Sequence, residues 1–416
     1  MIILVLLVFF VFSSWYVTRD FLFPSVLMPL IWFFVLLIGF ISGFKTPGLY
    51  TQFYLFAAFF SYFIVTNFCF FLGKKYKADY FENHTSLIIY FRRIKLFGFL
   101  LIPIFAIVIV HLTFEILRFN NLAAFFINVR KLNLTGKTLL DELDFFSRKI
   151  YIFSNLFLYF FVSYISRINK INYSTKLFFV FYFIVSSILL LIEGARSGFY
   201  INCLVIFFLF KFNNKINLKL TFLLFFLGLL VFILTMGFRD NTDSFTDFLS
   251  DVDNIILNIT FYIASGPSAF DYVFNNFQKF QVSHLLTLNS IESLFNKMNL
   301  ISNYNYAISN SVDDSFNVNI LKKGYKAGNV YSQFYPLIND FGIIGSIIVF
   351  SLTGFISGLI YRFRRYFIFS IIYSMILSGI LLSPFSEYFL TLFITPGFIF
   401  FILFIFYLKF PNFIWK

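Results

Sequence analysis

Residues 49–73 read LYTQFYLFAAFFSYFIVTNFCFFLG, and no charge interrupts them. Wound as an α-helix, the stretch rises about 37 Å, more than the roughly 30 Å of hydrocarbon in a bilayer. In lipid its backbone N–H and C=O groups have no water to turn to, so they must pair within the helix itself. Comparable runs recur at 2–17, 25–42, 96–117, 150–166, 177–192, 198–210, 220–236, 341–361, 366–383 and 388–408. Several are short or broken by Gly and Pro. The expected fold is an all-α polytopic membrane protein with about eleven transmembrane helices, and 10–12 are compatible with the pattern. The first run lacks a basic leader and a small-residue cleavage site, so it reads as a retained span.

Composition agrees. Of 416 residues, 60% are hydrophobic and 12% charged, whereas a soluble domain carries about a quarter charged residues. A soluble globular protein is excluded. Cys69 and Cys203 lie inside apolar runs, and His84, His111 and His284 are far apart. Neither a disulfide framework nor a Cys/His metal site is expected, and nothing calls for a cofactor. The net charge of +13 would point to nucleic acid in a soluble chain. Here basic cytoplasmic loops account for it, and no nucleic-acid partner is expected.

Charge also sets an orientation. With the N-terminus outside, the inside loops collect Arg19; Lys74, Lys75, Lys77, Arg92, Arg93 and Lys95; Arg167, Lys170 and Lys176; Lys211, Lys215 and Lys219; Arg362, Arg364 and Arg365; and Lys409 with Lys416. This is the arrangement the positive-inside rule favours. Residues 118–149 fit less well, being outside yet carrying six basic residues, partly balanced by Asp141, Glu142 and Asp144.

The chain divides into N-terminal spans (1–236), a large extracytoplasmic loop (237–340) and C-terminal spans (341–416). The loop holds ten acidic and six basic residues, net −4 against +17 for the rest. Loops of this length are usually functional. Residues 251–275 mix apolar and polar positions as a surface helix would, and 281–300 read as a second amphipathic stretch. Residues 301–335 are rich in Asn, Ser and Gly and read as irregular. No internal repeat is visible, which weighs against an inverted-repeat transporter.

Polar groups at membrane depth are costly and mark function. Here they gather at the outer ends of spans, and the span centres are almost free of ionisable groups. His111, Glu115 and Arg118 share one helical face. Glu193 and Arg196 sit in the turn Glu193-Gly-Ala-Arg-Ser-Gly198, Arg239 and Asp240 end the eighth span, and Asp340 and Glu387 open the ninth and eleventh. An Arg remains charged when partly buried, and its planar fork fits phosphate oxygens. Arg196 and Arg239 are therefore candidate phosphate ligands. The alternative, that they pair with Glu193 and Asp240 and anchor helix ends, stays open. His284 could act as a general base or be structural, and Lys322-Lys-Gly-Tyr-Lys-Ala-Gly328 lacks the spacing of a P-loop.

The stretch Gly328-Asn-Val-Tyr-Ser-Gln-Phe-Tyr-Pro-Leu-Ile-Asn-Asp340-Phe-Gly-Ile-Ile-Gly345 resembles a motif of the bacterial O-antigen and capsule repeat-unit polymerases. There, Asn–Val–Tyr or Asn–Thr–Tyr leads through a Tyr to Asp-Phe-Gly-x-x-Gly and into a span. The turn ending at Gly198 is similar to that family's Arg-containing turn, and Tyr262-Ile-Ala-Ser-Gly-Pro-Ser-Ala-Phe270 to its outer-loop pattern. The motifs cover about residues 180–360, and the layout covers the whole chain.

The resemblance implies a glycosyltransferase of the bacterial inner membrane that acts on the extracytoplasmic face. Donor and acceptor would both be undecaprenyl-pyrophosphate-linked oligosaccharides. Membrane lipids, a polysaccharide chain-length regulator and the repeat-unit flippase are the further partners it implies. Arg196, Arg239 and His284 become the catalytic candidates. Glu193, Lys326, Asn329, Tyr331, Tyr335 and Asp340 become the substrate-binding ones. The related ligase family pairs outer-face arginines with a loop His in a His-Asn setting, and no His here occupies that setting. A lipid-linked glycan ligase and a non-enzymatic lipid-linked oligosaccharide flippase or exporter are the alternatives.

Overall fold

A computed structural model describes residues 2–44, 46–72, 84–119, 149–168, 172–192, 196–213, 252–280, 285–287, 332–385, 389–393 and 396–409, with single residues at 125, 128, 143 and 147. Among them there is no strand. The helices in chain order are α1 (Ile2–Thr18), α2 (Pro24–Ile41), α3 (Leu49–Leu72), α4 (His84–Leu117), α5 (Ile150–Ile165), α6 (Tyr173–Ile192), α7 (Arg196–Phe212), α8 (Val252–Asn275), α9 (Phe277–Phe280), α10 (Phe334–Phe363), α11 (Phe367–Leu382), α12 (Phe389–Phe393) and α13 (Pro396–Lys409). Ten of the eleven apolar runs coincide with helices, the last of them as the pair α12 and α13. The run 220–236 lies outside the described residues, as does 281–300 apart from 285–287.

Five helical segments are long and apolar enough to cross a membrane: Pro24–Ile41, Leu49–Leu72, Ile89–Leu117, Tyr173–Leu190 and Phe334–Phe363. Their outward faces are as apolar as their packed ones; Leu100 is 63% exposed and Ile344 75%. Water does not tolerate such a surface, whereas lipid does. The described residues are those of a helical, membrane-embedded protein.

The chain forms two compact units, each assembled from separated stretches: residues 1–78, 251–363 and 376–395 in one, and 79–250, 364–375 and 396–416 in the other. In the first unit α3 and α10 run parallel at close range. Gly354 and Gly358 of α10 leave room for α3, since a Cβ at Gly354 would meet Thr66 Oγ1 at 2.8 Å and one at Gly358 the Thr66 carbonyl oxygen at 2.9 Å. Small residues four apart are what lets helix backbones approach in lipid. Above that crossing Tyr54 and Ser346 share a hydrogen bond (2.9 Å), and Phe350 stacks on Tyr62. At the other end Asn67 Nδ2 donates to Ser14 Oγ (3.1 Å) and Ser25 Oγ (3.0 Å), tying α3 to α1 and α2.

Two helices are longer than their apolar runs predict. Helix α4 starts at His84 instead of near residue 96, so Arg92, Arg93 and Lys95 stand on a helix, not in a loop. At 30 residues, α10 would rise about 45 Å if straight. It is kinked instead at Gly342, whose φ of 69° and ψ of −178° fall in a region open essentially to glycine alone. Residues 343–363 then rise about 31 Å, one bilayer core. Helix α8 also departs from the surface helix expected at 251–275. Residues 264–270 are all buried, and a Cβ on Gly266 would overlap the Pro384 carbonyl oxygen.

Candidate functional site

In the second unit, helix directions follow from side-chain partners. Phe91 stacks on Tyr164, and Phe97 meets Phe153, so α4 and α5 are antiparallel. Phe157 meets Tyr182, and Phe161 meets Phe178, so α5 and α6 are antiparallel too. Asn202 of α7 bonds to Asn155 of α5 and Ser186 of α6. One end of this unit therefore gathers the finish of α4, the start of α5, the finish of α6 and the start of α7. Arg196 is placed by its backbone at that end, as the first residue of α7. Glu193 lies outside the described residues.

The two ends differ in charge. Arg92, Arg93, Lys95, Arg167, Lys176, Lys211, Arg364, Arg365 and Lys409 fall at the opposite end from Arg196. Arg93 there donates to the carbonyls of Tyr407 (3.0 Å) and Leu408 (2.6 Å). A cation on the final carbonyls of α13 complements the negative end of its dipole. Arg167 donates to Ser370 Oγ at 3.1 Å. The Arg196 end carries Lys149, Arg118 and Glu115, the acid of this unit among the described residues. Glu115 pairs with Arg118 at 2.5 Å, which accounts for two members of the His111–Glu115–Arg118 face.

A helix start is itself electropositive. Its first N–H groups have no partner inside the helix, and the peptide dipoles add there. Such a terminus suits phosphate oxygens, and Arg196 is the first residue of this one. About 9 Å further along α7 lies a buried polar cluster. Asn202 Nδ2 donates to Asn155 Oδ1 (2.7 Å) and Ser186 Oγ (3.1 Å), Ser186 Oγ donates to Asn155 Oδ1 (2.5 Å), and Tyr159 donates to Asn202 Oδ1. These bonds fix the register of α7 against α5 and α6. Sequence reasoning passed over the cluster, although lone Asn residues inside apolar runs are a readable signal.

The first unit holds the other described candidates. Tyr335 is buried, 4% exposed, so it offers no open ring face for a sugar to stack on. The Asp340 carboxylate accepts hydrogen bonds from the turn at 285–287. Asp271, counted among the loop acids in the sequence, is 2% exposed. It accepts from Gly48 N–H (2.7 Å), Thr51 Oγ1 (2.6 Å) and Asn275 Nδ2 (3.1 Å), a carboxylate seated on the start of α3. Arg239, His284, Lys326, Asn329 and Tyr331 lie outside the described residues. No family profile, curated protein or solved structure matches this chain.

Proposed function

We propose that the protein is a metal-independent glycosyltransferase that joins undecaprenyl-pyrophosphate-linked oligosaccharide repeats into O-antigen or capsular polysaccharide. In this reading it crosses the bacterial inner membrane about eleven times and works on the extracytoplasmic side. Residues 237–340 hold the glycans. The resemblance at 193–198, 262–270 and 328–345 supplies the reaction class. The observation that carries the reading is the position of Arg196, at the first residue of α7 and at the end of its unit opposite nine basic residues. By the positive-inside rule that end is extracytoplasmic.

The chemistry follows from charge. An acceptor hydroxyl attacks the anomeric carbon of the donor chain. The bond from that carbon to the pyrophosphate oxygen breaks, and the polyprenyl pyrophosphate leaves with the electron pair. Arg196 and Arg239 stabilise the charge developing on the leaving group. Positioning of the two lipid-linked glycans does the rest, with His284 as candidate acceptor of the hydroxyl proton. Lys326, Asn329 and Tyr331 contact sugar.

Substitution of Arg196 or Arg239 by Ala and by Lys, in a strain whose polymer depends on this gene, tests the reading. Polymer ladders are expected to disappear with Ala at normal protein levels, and single lipid-linked repeats to accumulate. Full ladders from a well-expressed Arg196→Ala protein refute the role of that arginine. Accumulation of long lipid-linked chains after deletion points to a ligase instead, and repeats trapped on the cytoplasmic leaflet point to a flippase.

A further inference from the structure

Asp340 has its acceptor capacity in use. Oδ1 accepts from Leu286 N–H at 2.9 Å and from Asn339 Nδ2 at 3.0 Å. Oδ2 accepts from Thr287 N–H at 2.7 Å and from the Thr287 hydroxyl. An ionised carboxylate has about four lone-pair sites, and four donors of the chain itself occupy them. Thr287 is 2% exposed, so the turn is packed as well as bonded. Two residues after Asp340 the backbone swings through Gly342, the kink of α10.

The bonds join positions more than fifty residues apart in sequence. They hold the turn just before residue 288. At the far end of the stretch 288–331 the chain is held again: Ser332 is 1% exposed, and Gln333 N–H donates to the Ser383 carbonyl at 2.9 Å. Fixing both ends of a stretch removes the chain-closure part of the entropy cost of placing it.

We infer that Asp340 is a positioning residue, whose carboxylate clamps the turn 285–287 onto the first segment of α10 and so sets where the stretch 288–331 begins, instead of binding glycan. The clamp stands on its own geometry. Its service to glycan transfer rests on the transferase reading.

The clamp is tested in the full-length protein by amide hydrogen exchange at Leu286 and Thr287. Asp340→Asn keeps the size but turns one acceptor into a donor facing donors. Exchange at both amides is expected to speed up at least about tenfold, given the strength of hydrogen bonds to charged groups. Thr287→Val, which removes only the hydroxyl donor, is expected to give a smaller change in the same direction. Amides that exchange in the wild type as fast as in Asp340→Asn overturn the clamp.

The role in the reaction is tested with Thr287→Cys/Asp340→Cys bridged by a short thiol-to-thiol crosslinker. Polymer formation is expected to be lost in the unbridged double variant and restored by bridging. Complete bridging of the pair, verified by mass, without restored polymer overturns the positioning role and assigns Asp340 to substrate. A wild-type protein that shows the protected amides but makes no polymer leaves the clamp in place and removes the transferase reading alone.

Discussion

Replacing Gly342 with alanine probes the kink of α10 through the sign of the effect. A Cβ built there meets no atom within 4 Å, so no packing clash enters. What changes is the backbone. At φ 69° and ψ −178° a residue with a Cβ is strained by about 1–3 kcal/mol. Alanine also favours the straight helix over glycine by about 1 kcal/mol. The balance between kinked and straight α10 therefore shifts by about 2–4 kcal/mol. A straight α10 carries Asp340 away from Leu286 and Thr287. In detergent, the folded-state strain of about 1–3 kcal/mol is expected to lower the melting temperature by about 2–12 °C, taking about 2–4 °C per kcal/mol for a domain of this size. Exchange at the two amides is expected to rise with it. At a glycine with ordinary helical angles the same change stabilises by about 0.4–1 kcal/mol. An unchanged or raised melting temperature with amides 286 and 287 still protected would therefore refute the kink and its coupling to the clamp.

Three further outcomes are expected. Gly266→Ala drives a methyl into the Pro384 carbonyl oxygen, a backbone atom that cannot rotate aside; destabilisation of about 1–3 kcal/mol is expected, read as a lower melting temperature in detergent. Asn202→Leu strips partners from Asn155, Ser186 and Tyr159 and is expected to cost about 1–2 kcal/mol. Polymer yield per folded molecule should fall because α7, with Arg196 at its start, loses its register; unchanged yield would detach the cluster from the site. Tyr50→Cys and Tyr173→Cys test the orientation, both positions being more than 70% exposed and the native cysteines buried. A membrane-impermeant thiol reagent should label position 50 in intact cells and position 173 only after lysis, and the reverse pattern would invert the topology.

The helices were legible because their signal is length and apolarity. A run such as 49–73 has no other stable form in lipid, and α3 covers 49–72. Helix ends were less legible. The start of α4 lies among charged residues that hydropathy assigns to a loop, and the first segment of α10 lies at the end of the stretch that reads as the large extracytoplasmic loop. Asp271 shows why the burial of α8 escaped the pattern. An acid looks solvated until its partner is known, and its partner is the start of α3, more than two hundred residues away. Gly266 likewise falls in the stretch expected as a surface helix and proves to be a contact surface. Among the candidate residues, the position of Arg196 beside a span end was readable, because charge at the edge of an apolar run is a local feature. The saturation of Asp340 was not, because its donors come from a distant turn. Gly342 carries no local signal of its own, and its reason is a backbone angle open essentially to glycine.

The most direct test of the central claim is the reaction itself. Purified protein in lipid vesicles is supplied with one polyprenyl-pyrophosphate-linked repeat unit, and the products are resolved by chain length. The account predicts a ladder of longer glycans with release of polyprenyl pyrophosphate by the wild type, and none by an equally folded Arg196→Ala protein. No elongation by the wild type, or the same ladder from both proteins, contradicts it.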